Sequence, residues 1–238
     1  MPSYFAYTSE ATSYLASRDK RLGQAIAAVD EARGHVLREV DEDLFSAVVH
    51  HIVGQQISTA AQRTVWARLQ QALGSVNASR VNEASVEELQ ACGMTFKKAS
   101  YIKDFAHKVN SGEFDLAAVE HMEDADAIAA LCSLRGIGTW TAEMLLLFCL
   151  ERPDVLSFDD LAIQRGMRMV YHHRKVTREQ FERYRRRYSP YGSVASLYLW
   201  AIAGGGIPGF EGDYAPLTVA QKKARARARA HARKTGGS

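Results

Sequence analysis

Apolar residues recur every three or four positions along most of this chain, which is the spacing of one face of an α-helix. The stretches that show it most clearly are 44–53, 59–73, 99–109 and 144–150. The alternation of apolar and polar residues that marks a half-buried β-strand is almost absent from the sequence. The pattern therefore predicts an all-α fold.

Capping residues mark several helix starts. Ser58 precedes an alanine-rich run, Ser85 stands three residues before Glu88, and Thr177 stands three residues before Gln180. The last two pairs have the spacing of a capping box. Short breaks that contain glycine separate the helical stretches at 74–75, 93–94, 111–112 and 136–138. The sequence thus predicts helices joined by short connections in a compact protein.

The composition is that of an ordinary globular protein, with 47% apolar and 24% charged residues among 238. Such a chain can bury a core in one large domain or two small ones. No apolar run reaches the roughly 18 residues of a membrane span, and the N-terminal stretch interleaves charges instead of forming a signal peptide. We therefore expect an intracellular protein without a membrane partner, cytoplasmic and nucleoid-associated in a bacterial cell.

The three cysteines, Cys92, Cys132 and Cys149, have no ligand-like spacing. They can build neither a disulfide framework nor a four-cysteine iron–sulfur cluster. The histidine pairs at 50–51 and 172–173 could suggest a metal site, but neighbouring side chains on a helix diverge by about 100°. We therefore assign no metal ion.

The net charge of +3 conceals an uneven distribution. Residues 221–238 hold seven lysines and arginines and no acidic residue, so that the rest of the chain carries −4. Basic side chains gain affinity for nucleic acid by releasing counterions from phosphates. A basic, disordered tail over 215–238 therefore indicates a polyanionic partner, although a solubilising extension would have the same composition.

The most specific motif is the glycine-rich stretch Leu134-Arg-Gly-Ile-Gly-Thr-Trp-Thr-Ala142, which lies between two helical segments. Gly136 and Gly138 permit positive φ and carry no side chain, so that backbone N–H groups at the start of the second helix can face a phosphate. Contacts of this kind position DNA without reading its sequence. The motif predicts a helix-hairpin-helix that binds DNA. A plain αα-hairpin, in which Gly136 ends a helix and Ile137 packs, is the alternative.

Two carboxylates, Asp159 and Asp160, stand directly before an apolar-periodic segment that begins at Leu161. At a helix start, the positive end of the helix favours an ionised carboxylate, which suits stabilisation of a cation better than proton donation. Taken alone, such a pair is more often a helix cap than a catalyst. Its position after the hairpin makes it a candidate for catalysis.

In combination these motifs resemble the helix-hairpin-helix (HhH-GPD) DNA glycosylase superfamily, in particular its alkylpurine branch of the 3-methyladenine glycosylase II type. The resemblance spans roughly 44–203. It rests on Ile52–Ser58, on Gly93 with Lys97–Ile102, on Gly136–Ala142, on Phe158–Leu161, and on Pro190–Ser193 with Trp200. It implies two helical lobes, 43–150 and 1–42 plus 151–214, with the active-site cleft between them.

The resemblance also implies the chemistry. Asp160 corresponds to the superfamily's catalytic carboxylate, and Asp159 is not marked as catalytic. Members that also cut the strand carry a Schiff-base lysine in the hairpin, where this chain has Trp140. Water, not a lysine amine, should then capture the sugar cation. We therefore expect a monofunctional glycosylase that flips out and excises alkylated purines such as 3-methyladenine and 7-methylguanine during base excision repair.

Base-pocket residues follow from the same resemblance. Trp140 and Trp200 correspond to tryptophans that stack on cationic bases, although the apolar segment around Trp200 by itself favours a core position. Met144 stands where a family member has a tyrosine, and Glu143 could accept a hydrogen bond from an exocyclic amine or simply be solvated. Gly192 stands in a Pro-aromatic-Arg element of that family member and departs from its pattern. The lesion range therefore stays open, with hypoxanthine, ethenoadenine and uracil as alternatives.

DNA contacts are expected in three places. The candidate residues are Gly136, Ile137, Gly138, Thr139 and Thr141 in the hairpin, Gln55, Gln56 and Ile57 in the loop after the first motif, and Lys97 and Lys98. The resemblance places a wedge for the vacated base stack in that loop, with Gln56 as first choice and Ile57 as the alternative. The two glutamines could also simply hydrogen-bond backbone in a turn.

The expected partner is double-stranded DNA with a damaged base, bound by a monomer. No cofactor is expected, apart from a monovalent or divalent ion that the resemblance allows between hairpin carbonyls and a phosphate. Two alternatives lie outside this enzyme class, namely a non-catalytic helix-hairpin-helix DNA-binding protein and a protein-interaction domain with an incidental basic tail. The presence of Asp160, Trp140 and Trp200 argues against the first, and salt-independent binding would identify the second.

Overall fold

The computed structural model describes residues 3–41, 43–216, 219 and 223. Its helices are α1 (Ser9–Arg18), α2 (Lys20–Arg33), α3 (Leu44–Gly54), α4 (Thr59–Leu73), α5 (Ala78–Glu83), α6 (Val86–Ala91), α7 (Phe96–Ser111), α8 (Leu116–His121), α9 (Asp124–Cys132), α10 (Thr139–Phe148), α11 (Leu161–Tyr171), α12 (Arg178–Tyr188) and α13 (Gly192–Ala203). One antiparallel bridge joins Tyr4 and Glu39. The prediction of an all-α fold is confirmed.

The helix starts marked in the sequence are those of the structure. Ser58 caps α4 through its side chain, and Ser85 and Thr177 form complete capping boxes at α6 and α12. The periodic stretch 144–150 continues beyond its helix, which ends at Phe148 with Cys149 as the C-cap. Glu151, three residues later, adopts a φ of 49° that an α-helix does not permit.

Helix packing falls into two groups. Helices α3 to α10 pack among themselves, and α1 and α2 pack with α11, α12 and α13. Phe45 and Phe105 stack in the first group, with ring centroids 4.8 Å apart. Tyr188 and Tyr198 are fully buried in the second. This grouping supports our proposal of two lobes, 43–150 and 1–42 plus 151–214.

Most of the chain's basic C-terminal stretch lies outside the described residues. Of the predicted tail over 215–238, only 215, 216, 219 and 223 are described. In the described part of the chain, no helix is both long enough and apolar enough to cross a membrane.

The segment before α3 joins the N terminus to the end of α10. The backbone N–H of Val40 donates to the Ser3 carbonyl at 3.0 Å, and that of Asp41 donates to the Phe148 carbonyl at 2.7 Å. These bonds run between parts of the chain that are distant in sequence. They place Asp41 beside the helix that follows the hairpin.

Helices α11 and α13 approach each other closely at Gly166. A Cβ atom at this position would lie 2.3 Å from the backbone oxygen of Leu199, well inside van der Waals contact. The absence of a side chain therefore lets the two helices touch. Their contact brings Asp160, the N-cap of α11, next to Trp200 on α13.

Candidate active site

Asp160 is buried and accepts four hydrogen bonds. Its Oδ1 atom caps α11, accepting from the backbone N–H groups of Ala162 and Ile163 at 2.8 Å each. The Trp200 indole N–H donates to Oδ1 at 3.1 Å, and the Trp140 indole N–H donates to Oδ2 at 2.9 Å. Four donors match the acceptor-only character of an ionised carboxylate.

The two oxygens of Asp160 differ in their remaining capacity. Oδ1 receives three bonds from the described residues, whereas Oδ2 receives one. Oδ2 therefore keeps a lone pair with which it can face a reacting group. Capping and catalysis are thus compatible roles for this carboxylate, since each uses a different oxygen. Asp159 is exposed.

The two tryptophans have different surroundings. Trp200 is half-buried and stacks on Phe148, with ring centroids 5.5 Å apart and planes at 24°. Trp140 is 42% exposed and, together with Phe148, lines a cavity of about 870 Å³. One indole therefore faces open space while both hold the same carboxylate.

Of the four residues predicted for the base pocket, Trp140 lines this cavity and the other three do not. Trp200 is covered by the Phe148 ring and turned toward Asp160. The side chain of Met144 is only 3% exposed. Glu143 accepts a hydrogen bond from the Ser157 hydroxyl, and burial raises the pKa of this carboxyl group.

The glycines of the hairpin serve two purposes. Gly136 has a φ of 91°, and a Cβ atom there would lie 2.5 Å from the Tyr101 ring. Gly138 is the N-cap of α10, and no described side chain caps that helix. The backbone N–H groups of its first turn are therefore open to an anion.

The hairpin side chains point in different directions. Ile137 and Thr141 are buried, each at 6% exposure, and Ile137 packs in the hydrophobic core. Thr139 is exposed. The prediction that Ile137 and Thr141 contact DNA therefore applies to their backbone groups.

Two further predicted DNA contacts are used inside the protein. The Gln55 side-chain amide donates to the Gly136 carbonyl at 2.7 Å. The Lys98 ammonium donates to the carbonyls of Val53 and Gln55 at 2.9 and 2.5 Å, and burial lowers its pKa. Both side chains thus hold the end of α3 against its neighbours, which leaves each of them one N–H donor for a phosphate.

The loop between α3 and α4 keeps two exposed side chains. Gln56 is exposed and has a φ of 59°, a left-handed conformation uncommon for residues other than glycine. Ile57 is 40% exposed. Gln56 also lines the cavity beside Trp140. Both wedge candidates therefore remain available.

Sequence reasoning did not single out Tyr101 and Arg135. The Tyr101 ring lies 5.8 Å from the Lys97 ammonium and 5.1 Å from the Arg135 guanidinium. It packs against Gly136 and supports the hairpin. Lys97 and Tyr101 have the i,i+4 spacing of neighbours on one helix face, which was a usable signal. The contact with Arg135 depends on the fold.

A hairpin between α9 and α10, followed by a buried carboxylate at the start of α11, defines an all-α helix-hairpin-helix protein. The family described as "HhH-GPD superfamily base excision DNA repair protein" matches residues 49–190, more than half of the chain. The chain belongs to this superfamily.

Named relatives share much of the chain. The crystal structure of a DNA-3-methyladenine glycosidase from Bacillus halodurans superimposes with a TM-score of 0.74 and 33% identity, covering 85% of this chain and 93% of that one. DNA-3-methyladenine glycosylase 1 of Schizosaccharomyces pombe is 27% identical over 76% of this chain and 80% of its own. DNA-3-methyladenine glycosylase of Bacillus subtilis is 28% identical over 67% of this chain, which spans 57% of that relative.

Proposed function

We propose that this protein is a monofunctional DNA glycosylase that flips an alkylated purine out of the duplex and hydrolyses its bond to deoxyribose. The observation that carries the proposal is Asp160, which is buried and accepts from two indole N–H donors, one of which, Trp140, lines a cavity large enough for a base. Membership of the HhH-GPD superfamily supports the glycosylase class. The relatives named for 3-methyladenine support the alkylpurine substrate.

The carboxylate acts on the charge that develops during the reaction. As the N-glycosidic bond breaks, its electron pair leaves with the base and positive charge spreads over C1′ and O4′ of the sugar. Asp160 stabilises this cation through Oδ2, and the oxygen of a water molecule then adds to C1′ while its proton is released to solvent. An N-alkylated purine leaves readily because it is already cationic, so a proton donor is not required for it.

The hairpin position of Trp140 supports hydrolysis without strand cleavage. A lyase reaction needs an amine that attacks C1′ and forms an imine. The indole of Trp140 carries no nucleophilic amine, and its N–H group is bonded to Asp160. Water is therefore the nucleophile in the proposed reaction.

We propose that DNA lies across the hairpin. The uncapped first turn of α10 would bind a phosphate through its backbone N–H groups, and Lys97 and Arg135, both close to the Tyr101 ring, add positive charge. Gln56 or Ile57 would fill the gap left by the flipped nucleotide. These contacts hold DNA at any sequence, as repair of scattered lesions requires.

Base release from DNA treated with a methylating agent tests the substrate class. We expect free 3-methyladenine and 7-methylguanine, identified by chromatography of the soluble fraction, because N-alkylation makes both bases cationic leaving groups. Duplexes with hypoxanthine, ethenoadenine or uracil serve as parallel substrates. Release of one of these without any alkylpurine would contradict the alkylpurine assignment, and release of no base from any substrate would indicate a non-catalytic DNA-binding protein.

A further inference from the structure

The cavity beside Trp140 holds polar residues that the proposed hydrolysis does not use. Its volume of about 870 Å³ falls in the range of small-molecule sites, roughly 300–1,000 Å³. Besides the rings of Trp140 and Phe148, it is lined by Asp41, His50 and His51. The Trp140 indole lines this cavity and donates to Asp160, so a purine flipped toward this carboxylate would lie at the cavity.

Packing and backbone contacts hold these three residues in place, while their side-chain polar atoms have no hydrogen-bond partner among the described residues. The His50 ring packs against Trp66 with centroids 4.8 Å apart, and Asp41 is fixed by its backbone bond to Phe148. The Gln62 amide donates to the backbone carbonyl of His50, not to its ring. Among residues 3–41 and 43–216, no group hydrogen-bonds to the two imidazoles or to the Asp41 carboxylate. Their polar atoms are free to bind a ligand in the cavity.

We propose that Asp41, His50 and His51 form a polar wall of the base pocket, which binds the edge of the flipped purine and favours a purine with positive charge. This inference rests on the proposed glycosylase function, since it concerns the base held in the same cavity. A neutral imidazole offers one donor and one acceptor nitrogen, which suits the mixed groups of a purine edge. The carboxylate attracts a cation.

At neutral pH the imidazoles of the polar wall carry little positive charge and therefore do not repel a cationic base. Burial lowers the pKa of His50, an effect that Asp41 partly offsets. Burial, with a smaller contribution from His50, lowers the pKa of His51 to about 4. Both imidazoles are therefore largely neutral at neutral pH and gain positive charge only as the pH falls. Burial also raises the pKa of Asp41, so that its protonation in acid removes negative charge from the same place.

The remaining titratable groups around His50 do not change the direction in which the charge of the cavity shifts as the pH falls. They are Asp43 at the start of α3, Arg38, Glu39 and Tyr4 in the paired N-terminal segments, and Cys149 after α10. The Asp43 carboxylate caps α3, and Arg38 and Glu39 are exposed residues of opposite charge. Burial raises the pKa of Cys149 to about 12, which keeps its thiol neutral. Acidification of the cavity therefore makes it more positive.

The test compares two duplexes with the full-length protein across pH. One contains 7-methylguanine, and its affinity is read from the half-saturating enzyme concentration in single-turnover excision. The other contains a tetrahydrofuran abasic analogue, which has no base to enter the cavity, and its affinity is read by equilibrium binding. The ratio of the two isolates the contribution of the base. We expect this ratio to shift about threefold toward the abasic duplex between about pH 7.5 and about pH 5, because the pKa of His50 lies below its ordinary value and only part of the His50 population is protonated in this range.

Three variants test which residue causes the pH dependence of this ratio of affinities. His50→Gln keeps a hydrogen-bonding side chain that cannot be protonated, and we expect its ratio to depend little on pH. Asp41→Asn should weaken binding of the 7-methylguanine duplex at neutral pH by about threefold to tenfold relative to the abasic duplex. It should also move the acid limb to lower pH, because Asp41 raises the pKa of His50. His172→Gln is the matched control, since the His172 ring stacks on Tyr214 and does not line the cavity.

The outcomes separate this inference from the proposed function. A wild-type ratio that stays constant with pH, or a His50→Gln ratio that follows the wild-type profile, would overturn the polar wall while base release continued. An unchanged ratio in Asp41→Asn would overturn the role of the carboxylate, and this variant also covers the case in which His50→Gln does not fold. Failure of the wild-type protein to release any base would instead refute the proposed function.

Discussion

Asp160→Asn is expected to remove nearly all base release while the protein stays folded. Asparagine caps a helix about as well as aspartate, and its amide oxygen can still accept from the N–H groups of Ala162 and Ile163 that Oδ1 now caps. The cap is kept, so the loss in the free energy of unfolding should be limited to the bond from the Trp140 indole, about 1–3 kcal/mol. The variant thus separates the structural role of this residue from its chemical role.

The chemical loss has two causes. The amide carries no negative charge to stabilise the sugar cation, and its NH₂ group would face the Trp140 indole N–H as donor against donor in place of the present 2.9 Å bond. Loss of one preorganised hydrogen-bond donor from an active site costs about 10²- to 10³-fold in rate, and we expect at least this much for a whole charge. Single-turnover excision of 7-methylguanine measures it.

Asp159→Asn is the matched control, because Asp159 is the adjacent carboxylate and is exposed. We expect wild-type excision and wild-type DNA binding from this control. Near wild-type excision by Asp160→Asn would show that the catalyst lies elsewhere. Equal loss in both variants would show that general charge near α11, not the buried carboxylate, drives the reaction.

Gly166→Ala should destabilise the protein, against the usual preference of helices for alanine. In an open helix, this change is favourable by about 1 kcal/mol. Here the new Cβ atom would lie 2.3 Å from the Leu199 carbonyl oxygen, which is backbone and cannot rotate aside. Overpacking of this kind costs about 1–3 kcal/mol. The net effect should therefore be a lower free energy of unfolding. Urea unfolding with comparison of midpoints and slopes measures it.

The same substitution should also reach the active site. Separation of α11 from α13 would move Asp160 away from the Trp200 indole, now at 3.1 Å. We therefore expect slower excision even under conditions in which the variant is fully folded. A stabilised Gly166→Ala protein, or a destabilised one with the wild-type excision rate, would contradict the positioning role of this helix contact.

Local patterns in the sequence were sufficient for features that depend on a few neighbouring residues. The capping boxes at Ser85 and Thr177, the hairpin glycines and the carboxylate at the start of α11 are of this kind. The physical reason is that caps and turns satisfy backbone groups within one helical turn. A single stretch of sequence therefore carries all the information that they need.

Features that depend on distant parts of the chain were not predictable. The bond from Trp200 to Asp160 spans 40 residues, and the apolar pattern around Trp200 is the same for a core residue as for a carboxylate donor. Gln55 and Lys98 look like surface DNA contacts in the sequence, yet their partners are backbone carbonyls brought close by packing. Side-chain direction in such cases is decided by tertiary contacts.

The polar wall of Asp41, His50 and His51 was likewise not predictable from local sequence. Adjacent histidines on a helix diverge, which argued against a shared metal, and the sequence offered no further use for His50 and His51. The cavity reaches both of them because the segment that contains Asp41 folds over from the N terminus and bonds to the end of α10. Only the assembled cavity places a carboxylate beside these imidazoles.

The most direct test of monofunctional hydrolysis uses a duplex with one 7-methylguanine at a known position and an end label on the damaged strand. We predict release of the free base, a strand that stays intact until hot alkali breaks it at the abasic site, and no protein–DNA adduct after borohydride treatment. Cleavage of the strand without alkali, or a borohydride-trapped adduct, would contradict the hydrolytic mechanism at Asp160.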